Sequence, residues 1–369
     1  MRSFHGSSIE KTIKMGSQEN TANVSRWVRK NILEMKPYSS ARDEFKGEAE
    51  IFLDANENPY PSPYNRYPDP LQSKVKEALA PIKNVSPEQI FLGNGSDEAI
   101  DLIIRAFCEP YRDSVIVTDP TYGMYAVCAD VNAVPVIKVE LTNKFDLDTE
   151  ALLGRATPNT KVIFLCSPNN PSGNLLNRDS ILEVLDRFDG IVVIDEAYID
   201  FTQGDSFTSY LPAYPNLIVL QTFSKAWGLA GIRLGMAFSS KEIIDILNKI
   251  KYPYNVSIQT QEIALKTLLA SDKKDKAVQE ILEQRGRLKQ ELLQLSITEQ
   301  VYPSDANFLL VKMKDAKGTY RYLMDQNIII RDRSKVTLCK NCVRITVGTP
   351  LENESLIAAL KNYEKSIIY

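Results

Sequence analysis

Histidine is almost missing from this chain: its 369 residues contain one, His5, close to the N-terminus. A Ser-His-Asp triad, a Cys-His pair and a histidine-based metal site are therefore excluded from the body of the protein. We expect no metal site, and acid–base chemistry has to come from lysine, tyrosine, aspartate or glutamate.

Cysteine is also scarce, with five residues that are too scattered for a disulfide framework. This usage fits a reducing cytosol. Cys339 and Cys342 have the CxxC spacing of zinc and redox sites, but no second pair and no histidine accompanies them. We interpret them as buried or edge thiols. The remaining cysteines are Cys108, Cys128 and Cys166.

Long apolar runs and blocks of one charge are missing too. No run approaches the roughly 18 apolar residues of a membrane span. Residues 1–20 have no apolar segment typical of a secretory signal, and we expect them to form a flexible tail. The net charge is −3, and the basic residues are dispersed. We therefore expect a cytoplasmic protein with neither a nucleic-acid nor a membrane partner.

The chain is long enough for two domains. Between residues 88 and about 240, short apolar strands alternate with helical patterns, which predicts an α/β domain with a mostly parallel sheet flanked by helices. The predicted strands are Ile90–Leu92, Ser114–Thr118, Val134–Val139, Val162–Cys166, Ile191–Ile194, Leu217–Leu220 and Leu234–Phe238. The predicted helices are near 97–108, 121–132, 147–154, 178–188 and 241–250.

The rest of the chain predicts a second, smaller α+β domain. A helical tract at 258–296 leads into strands at Asn307–Val311, Ile328–Arg331 and Val343–Val347, with helices near 317–326 and 352–365. A further amphipathic helix is predicted at 23–35, with Val24, Trp27, Val28 and Leu33 on one side. We divide the chain into a tail (1–20), a helix and loop that pack on the small domain and a partner (21–60), a large domain (61–260), a bridging tract (261–296) and a small domain (297–369).

Lys225 is the most distinctive candidate residue. Most lysines are solvated surface charges. This one follows the apolar strand Leu217–Leu220 and precedes the small and apolar residues 226–232, so its amine could be desolvated. Desolvation lowers the pKa of a lysine and makes it a Schiff-base nucleophile. Arg233, eight residues later, adds an anion ligand.

Other candidates follow neighbouring strands. The segment Gly93–Glu98, which includes Gly95, Ser96 and Asp97, can receive an anion on its backbone N–H groups, although a plain turn that caps a helix explains it equally well. It has neither Walker nor GxGxxG spacing. Tyr122 follows the next strand and could stack on a ring or simply pack in the core.

Two further strand ends carry polar residues. Asn170 lies in the loop Ser167–Gly173, which could donate hydrogen bonds or serve only as a turn. Asp195 ends an apolar strand and needs a partner such as a protonated ring nitrogen, with Tyr198 in reach of a ring oxygen. Singly, each could be a helix cap or a core residue. Together these residues predict a ligand that is a flat cationic heterocycle with a phosphate and a carbonyl. Pyridoxal phosphate fits this description.

The chain resembles the fold-type I, aspartate-aminotransferase-like enzymes, class-II-type pyridoxal-phosphate aminotransferases, and within them the histidinol-phosphate aminotransferases. The resemblance spans residues 38 to 350. It rests on the segments Leu53–Pro59, Asn65–Pro68, Gly93–Glu98, Asp119–Gly123, Ser167–Pro171, Asp195–Tyr198, Ser224–Arg233 and Arg344–Thr349. The loop 43–48 departs from the family's short glycine-containing turn.

The resemblance implies a role for each candidate. Lys225 would form the Schiff base and shuttle the proton, Asp195 would bind the pyridine nitrogen, and Asn170 and Tyr198 would bind the ring hydroxyl beneath a stacked Tyr122. Phosphate ligands would come from Gly95, Ser96, Asp97, Ser224, Arg233 and, from the partner subunit of a homodimer, Tyr67. Substrate ligands would be Arg344, Arg331, Tyr38 and Asn56, although Arg331 could also be a surface charge.

The implied activity is ping-pong transamination of L-histidinol phosphate and 2-oxoglutarate to imidazole acetol phosphate and L-glutamate, in histidine biosynthesis. Within the same fold, an aromatic aminotransferase or a threonine-phosphate decarboxylase would present a similar cationic pocket. A non-catalytic regulator that binds pyridoxal phosphate is a more remote alternative. Such regulators carry a DNA-binding domain ahead of this fold, and the residues before Tyr38 are too few and too weakly basic for one.

Overall fold

The computed structural model describes residues 24–38 and 51–368. Its larger sheet has seven strands in the order β1-β7-β6-β5-β4-β2-β3, in which only β7 runs antiparallel to its neighbours. The predicted mostly parallel sheet is confirmed. The strands are β1 (Ile90–Asn94), β2 (Ser114–Asp119), β3 (Val136–Glu140), β4 (Thr160–Cys166), β5 (Ile191–Asp195), β6 (Leu217–Thr222) and β7 (Leu234–Phe238).

The central strands carry continuous apolar runs, and both faces of the sheet are covered. In β4, Ile163 packs in the core on one face, while Val162 and Phe164 pack in the core on the other. This arrangement explains the continuous apolar runs in the sequence. The helices of this part are α1 (Lys30–Glu34), α2 (Ser73–Lys83), α3 (Ser96–Phe107), α4 (Met124–Val131), α5 (Thr149–Gly154), α6 (Arg178–Arg187) and α7 (Lys241–Ile250).

The predicted helical tract at 258–296 is two helices, α8 (Ile258–Leu268) and α9 (Ser271–Leu293). Arg285 of α9 donates a hydrogen bond to the carbonyl of Ala306 (2.8 Å), and Val278 packs with Tyr198 and Phe308. The second helix therefore contacts both sheet units.

The smaller unit is an antiparallel sheet in the order β10-β11-β9-β8 with helices on it. Its apolar core includes Leu309, Leu323 and Leu360, one from a strand and one from each helix. The elements are β8 (Thr298–Val301), β9 (Phe308–Met313), α10 (Ala316–Asp325), β10 (Arg331–Asp332), β11 (Cys342–Thr346) and α11 (Pro350–Ile368).

The N-terminal segment differs from its prediction. The single helix expected at 23–35 is a 3-10 turn at Val24–Arg26 followed by the short α1. This break changes the helical phase, so Ile32 is buried and Leu33 is 42% exposed. Trp27 donates a hydrogen bond to Asp189, and the N–H of Arg29 donates to Ala106. The segment thus packs on the large sheet unit, and the expectation that it packs on the small domain is wrong for these residues.

Among the described residues, one α-helix, one strand and several short 3-10 helices were not predicted from the sequence, and one strand is shorter than expected. Helix α2 and the edge strand β8 have no counterpart among the predicted elements, and β10 is limited to Arg331–Asp332. The tail 1–20 and the loop 43–48 lie outside the described residues. Within the described ranges, no helix combines the length and the apolar character that crossing a membrane requires.

Candidate active site

A cavity of about 170 Å³ lies at the carboxyl ends of the parallel strands. It brings together the candidates from five separate segments of sequence, because parallel strands end at one edge of the sheet. Its lining consists of Ser96, Asp97, Tyr122, Cys166, Asn170, Asp195, Ala197, Tyr198, Thr222, Ser224, Lys225, Ala230 and Arg233.

One end of the cavity is built to bind an anion. Helix α3 begins here at Ser96, directly after Gly95, whose φ is +74°. This φ strains any residue with a Cβ, and a Cβ here would also lie 2.6 Å from Nη2 of Arg233, so the position favours glycine. The Arg233 guanidinium lies 3.5 Å from Oγ of Ser224 and 3.7 Å from Asp97. A helix N-terminus, a hydroxyl and a guanidinium therefore converge on one point.

The floor of the cavity carries a buried carboxylate. Asp195, the last residue of β5, is 3% exposed. Its Oδ1 accepts a hydrogen bond from the N–H of Ala197 (3.1 Å), and its Oδ2 accepts one from the hydroxyl of Tyr125 (2.6 Å). Burial raises the pKa of Asp195 to about 6, because desolvation disfavours the charged form. A cationic ring placed above it would favour the ionised carboxylate.

The polar side wall consists of Asn170 and Tyr198. Nδ2 of Asn170 donates to the Tyr198 hydroxyl at 3.4 Å. Burial raises the pKa of Tyr198, so its hydroxyl remains a neutral donor. The ring of Tyr198 packs edge-to-face on Phe308 with centroids 5.2 Å apart, which fixes the side chain.

Tyr122 lines the cavity and is half-buried. Its hydroxyl donates to Asp97 at 3.1 Å, and its ring lies edge-on to Tyr125. The ring face is therefore held in place beside the cavity by one hydrogen bond and one aromatic contact.

Lys225 lies between the anion-binding end and the side wall, with Nζ 5.6 Å from the centroid of the Tyr198 ring. The residue is exposed at the cavity opening. Surrounding protein atoms nevertheless lower the pKa of its amine, and the positive charge of Arg344 lowers it further. The amine of Lys225 is thus only partly desolvated, less than the sequence predicts.

Two predicted substrate ligands face each other across β10 and β11, where Arg331 is the register partner of Arg344. Nη1 of Arg344 donates to Oδ1 of Asn170 at 2.5 Å, so this arginine reaches the cavity wall. Its guanidinium lies 5.3 Å from the centroid of Phe308. Burial lowers the pKa of Arg344, and nearby arginines lower it further. Arg331 is exposed.

Sequence reasoning missed a third arginine, Arg333. Burial lowers its pKa, and the positive charge of Arg331 lowers it further. Its Nε is buried and has no hydrogen-bond partner among the described residues. No strand pattern marks it, because β10 ends at Asp332 and the predicted strand ends at Arg331. Its one sequence signal is its position two residues after the candidate Arg331. Within residues 51–368, no carboxylate forms an ion pair with Arg331, Arg333 or Arg344.

Tyr125 was also missed. It follows Tyr122 by three residues, a spacing that places two side chains on the same face of the helix predicted at 121–132. The sequence does not single it out, because the residues around it have the pattern of an ordinary buried helix.

Besides Gly95, Arg331 and Arg344, three predicted residues do not line this cavity: Tyr67, Asn56 and Tyr38. Tyr67 is 49% exposed and stacks on Tyr254 with centroids 4.4 Å apart. It lines a separate groove of about 610 Å³ with Asn56 and, notably, Arg233. Tyr38 is 70% exposed and lies in another surface depression beside Lys249. A single protomer therefore does not bring these residues to Lys225.

Comparison with known proteins agrees with this geometry. Residues 49–360 match the family model of aminotransferases of class I and II. The histidinol-phosphate aminotransferase of Parabacteroides distasonis is 61% identical over 335 residues, which are 91% of this chain and 97% of that protein. That of Cytophaga hutchinsonii is 56% identical over 340 residues, 91% of this chain and 98% of its own.

Solved structures share the fold. The histidinol-phosphate aminotransferase from Sinorhizobium meliloti, in complex with pyridoxal-5'-phosphate, has a TM-score of 0.76 at 25% identity and covers 85% of this chain and 90% of its own. L-threonine-O-3-phosphate decarboxylase from Porphyromonas gingivalis has a TM-score of 0.68 at 26% identity, covering 81% and 91%. With the family model matched along most of its length, the chain belongs to the class I and II aminotransferases, and the fold-type I architecture predicted from its strand-end motifs is confirmed.

Proposed function

We propose that the protein is a pyridoxal-phosphate-dependent aminotransferase that converts L-histidinol phosphate and 2-oxoglutarate to imidazole acetol phosphate and L-glutamate. The observation that carries this function is the arginine cluster at Arg331, Arg333 and Arg344, which adjoins a cavity containing Lys225. Relatives that carry this name and are up to 61% identical support the choice of substrate.

The residues of the cavity fit the cofactor. Arg233, Ser224 and the N-terminus of α3 form a phosphate site. The buried Asp195 has the chemistry to hold a proton on a ring nitrogen, and Asn170 with Tyr198 can bind a ring hydroxyl. When bound, pyridoxal phosphate supplies a carbonyl that condenses with amines and a ring that withdraws electrons.

Lys225 is the group that moves the proton. Its lowered pKa increases the fraction of unprotonated amine near neutral pH, and an unprotonated amine is both nucleophile and base. From its place between the phosphate site and Tyr198, it would take the proton from the substrate Cα and return it to the cofactor carbon.

Substrate binding is assigned to the arginines. In one half-reaction Arg344 accepts the carboxylate of glutamate, and in the other it accepts the phosphate of histidinol phosphate. A planar guanidinium can bind either group through two parallel hydrogen bonds. Arg331, its partner across the strands, is placed to share the larger charge of a phosphate dianion.

The remaining predicted ligands support a homodimer. Tyr67 and Asn56 lie in the outer groove together with Arg233, so a second copy of the chain could bring its own Tyr67 to this guanidinium. We propose a homodimer with shared sites, in the cytoplasm, acting in histidine biosynthesis. Tyr38 would join the substrate ligands from its exposed position.

The alternative is a decarboxylase or an aromatic aminotransferase. The solved threonine-phosphate decarboxylase shares this fold, and its substrate also carries a phosphate. Three assays separate the candidates: glutamate with imidazole acetol phosphate, glutamate with phenylpyruvate, and CO₂ release from phosphothreonine. We expect the first to be preferred. Turnover of phosphothreonine or phenylpyruvate without turnover of imidazole acetol phosphate would contradict the proposal.

A further inference from the structure

Tyr125 is a fully buried tyrosine with its hydroxyl directed at the floor of the cavity. It is 0% exposed, belongs to α4, and reaches Oδ2 of Asp195 at 2.6 Å. Its ring stacks on Phe164 of β4 with centroids 4.9 Å apart and an interplanar angle of 10°. Packing therefore fixes the ring, and the ring fixes the direction of the hydroxyl.

The hydroxyl can act only as a donor towards Asp195. Burial and the adjacent carboxylate raise the pKa of Tyr125 well above its usual value, so the phenol keeps its proton. Other groups around Asp195 have opposing effects. Asp97 raises the pKa of this carboxyl and Lys225 lowers it, as do the hydrogen bonds from Tyr125 and Ala197. Cys166, on the neighbouring strand, stays a neutral thiol because burial raises its pKa.

We propose that Tyr125 is a positioning residue: by donating a hydrogen bond from its phenol O–H to Oδ2 of Asp195, it orients this carboxylate and keeps it ionised for the ring nitrogen of pyridoxal phosphate. The two oxygens of Asp195 have different partners, Ala197 for Oδ1 and Tyr125 for Oδ2. The backbone donor is supplied by the turn itself, whereas the phenol comes from another helix. Tyr125 is therefore the partner that a single substitution can remove.

The inference rests on the proposed cofactor site and is tested by cofactor binding rather than by turnover. The apparent Kd of the apo protein is measured for pyridoxal phosphate and for its carbon analogue, in which a CH group replaces the ring nitrogen, between about pH 5 and pH 9. In Tyr125→Phe we expect the affinity for pyridoxal phosphate near neutral pH to fall about tenfold. The midpoint of the pH dependence of this affinity should rise by about one pH unit. The affinity for the carbon analogue should not change.

Tyr214→Phe is the matched control, because Tyr214 also donates to an aspartate, Asp186 at 2.8 Å, outside the cavity. It should leave both affinities at the wild-type value. A second test combines Tyr125→Phe with Asp195→Asn, and there the tyrosine substitution should have no further effect on cofactor affinity.

If Tyr125→Phe does not fold, 3-fluorotyrosine at position 125 keeps the shape and makes the phenol a stronger donor, so the pH midpoint should fall instead. Equal losses for both cofactors, or no loss for either, would show that Tyr125 has only a packing role. Failure of the wild-type protein to bind pyridoxal phosphate would instead count against the proposed function.

Discussion

Arg331 and Arg344 lie directly opposite each other in the antiparallel pair of β10 and β11. Like charges in this relationship destabilise a sheet unless something lies between them to offset the repulsion. Arg333, two residues further along, adds a third positive charge. We therefore expect the cluster to bind an anion, and a dianion would relieve more repulsion than a carboxylate.

Replacement of Arg344 by Gln is expected to impair both half-reactions, because it removes the guanidinium that touches the cavity wall at Asn170. Loss of a charged hydrogen bond corresponds to ~1.5–3 kcal/mol, or about a 10- to 100-fold fall in kcat/KM. Single-turnover kinetics with glutamate and with histidinol phosphate measure each half separately. A normal rate with either substrate would show that Arg344 is not its ligand.

Replacement of Arg333 by Gln should distinguish the substrates. We expect kcat/KM to fall about tenfold for histidinol phosphate and less for glutamate, since the phosphate carries more charge. Arg333→Lys keeps the charge and should recover part of the loss. Arg187→Gln, which alters an exposed arginine paired with Glu150, is the control. Equal losses for both substrates would contradict a role in discrimination.

Lys225→Ala is expected to abolish transamination while the arginines still bind substrate. In the wild-type protein, borohydride reduction of the cofactor complex followed by peptide mapping should place the pyridoxyl group on Lys225. Lys241→Ala is the control, because Lys241 is exposed and paired with Asp245. An adduct at any other lysine would overturn the assignment.

Asp195 should make the apo protein less stable as the pH rises. Its pKa is about 6 when folded and ~4 in an unfolded chain, so the folded state binds this proton more tightly. The contribution is therefore complete below about pH 4 and is lost as the pH passes through about 6, a change of roughly 3 kcal/mol. The difference in urea-unfolding free energy between wild-type and Asp195→Asn, at several pH values, isolates this effect. A difference that is constant with pH would refute it.

Subunit mixing tests whether Tyr67 serves the neighbouring site. Lys225→Ala and Tyr67→Ala proteins are expected to be poorly active alone. A heterodimer would hold one site with Lys225 from one chain and Tyr67 from the other, so an equal mixture should recover about a quarter of wild-type activity. If Tyr67 served its own chain, mixing would recover nothing.

The sequence predicts the cavity well because the sheet is mostly parallel. Residues at the ends of successive strands then lie together at one edge of the sheet. Asp195 ends a strand, Asn170 and Lys225 each follow one, and these strands end at one edge of the sheet. Nothing comparable locates Tyr67 or Tyr38, which lie on loops and line other surface depressions. Their distance from Lys225 in one protomer could not be read from sequence order.

The errors have local physical causes. The phase of the N-terminal helix was misjudged because a 3-10 turn interrupts it, which exchanges Ile32 and Leu33 between core and surface. Tyr125 was not predicted because the apolar pattern of its helix does not indicate that its hydroxyl contacts the buried carboxylate of Asp195. Arg333 was passed over because charge alone does not distinguish a solvated arginine from one whose Nε is enclosed.

Arg233 lines both the inner cavity and the outer groove. A phosphate bound in the cavity and a second chain bound in the groove would therefore act on the same guanidinium. Coupling between two binding events is reciprocal. If bound cofactor strengthens subunit association by some factor, then association strengthens cofactor binding by the same factor. Dilution of the protein would then release cofactor, and removal of cofactor would weaken the dimer, as two views of one coupled equilibrium.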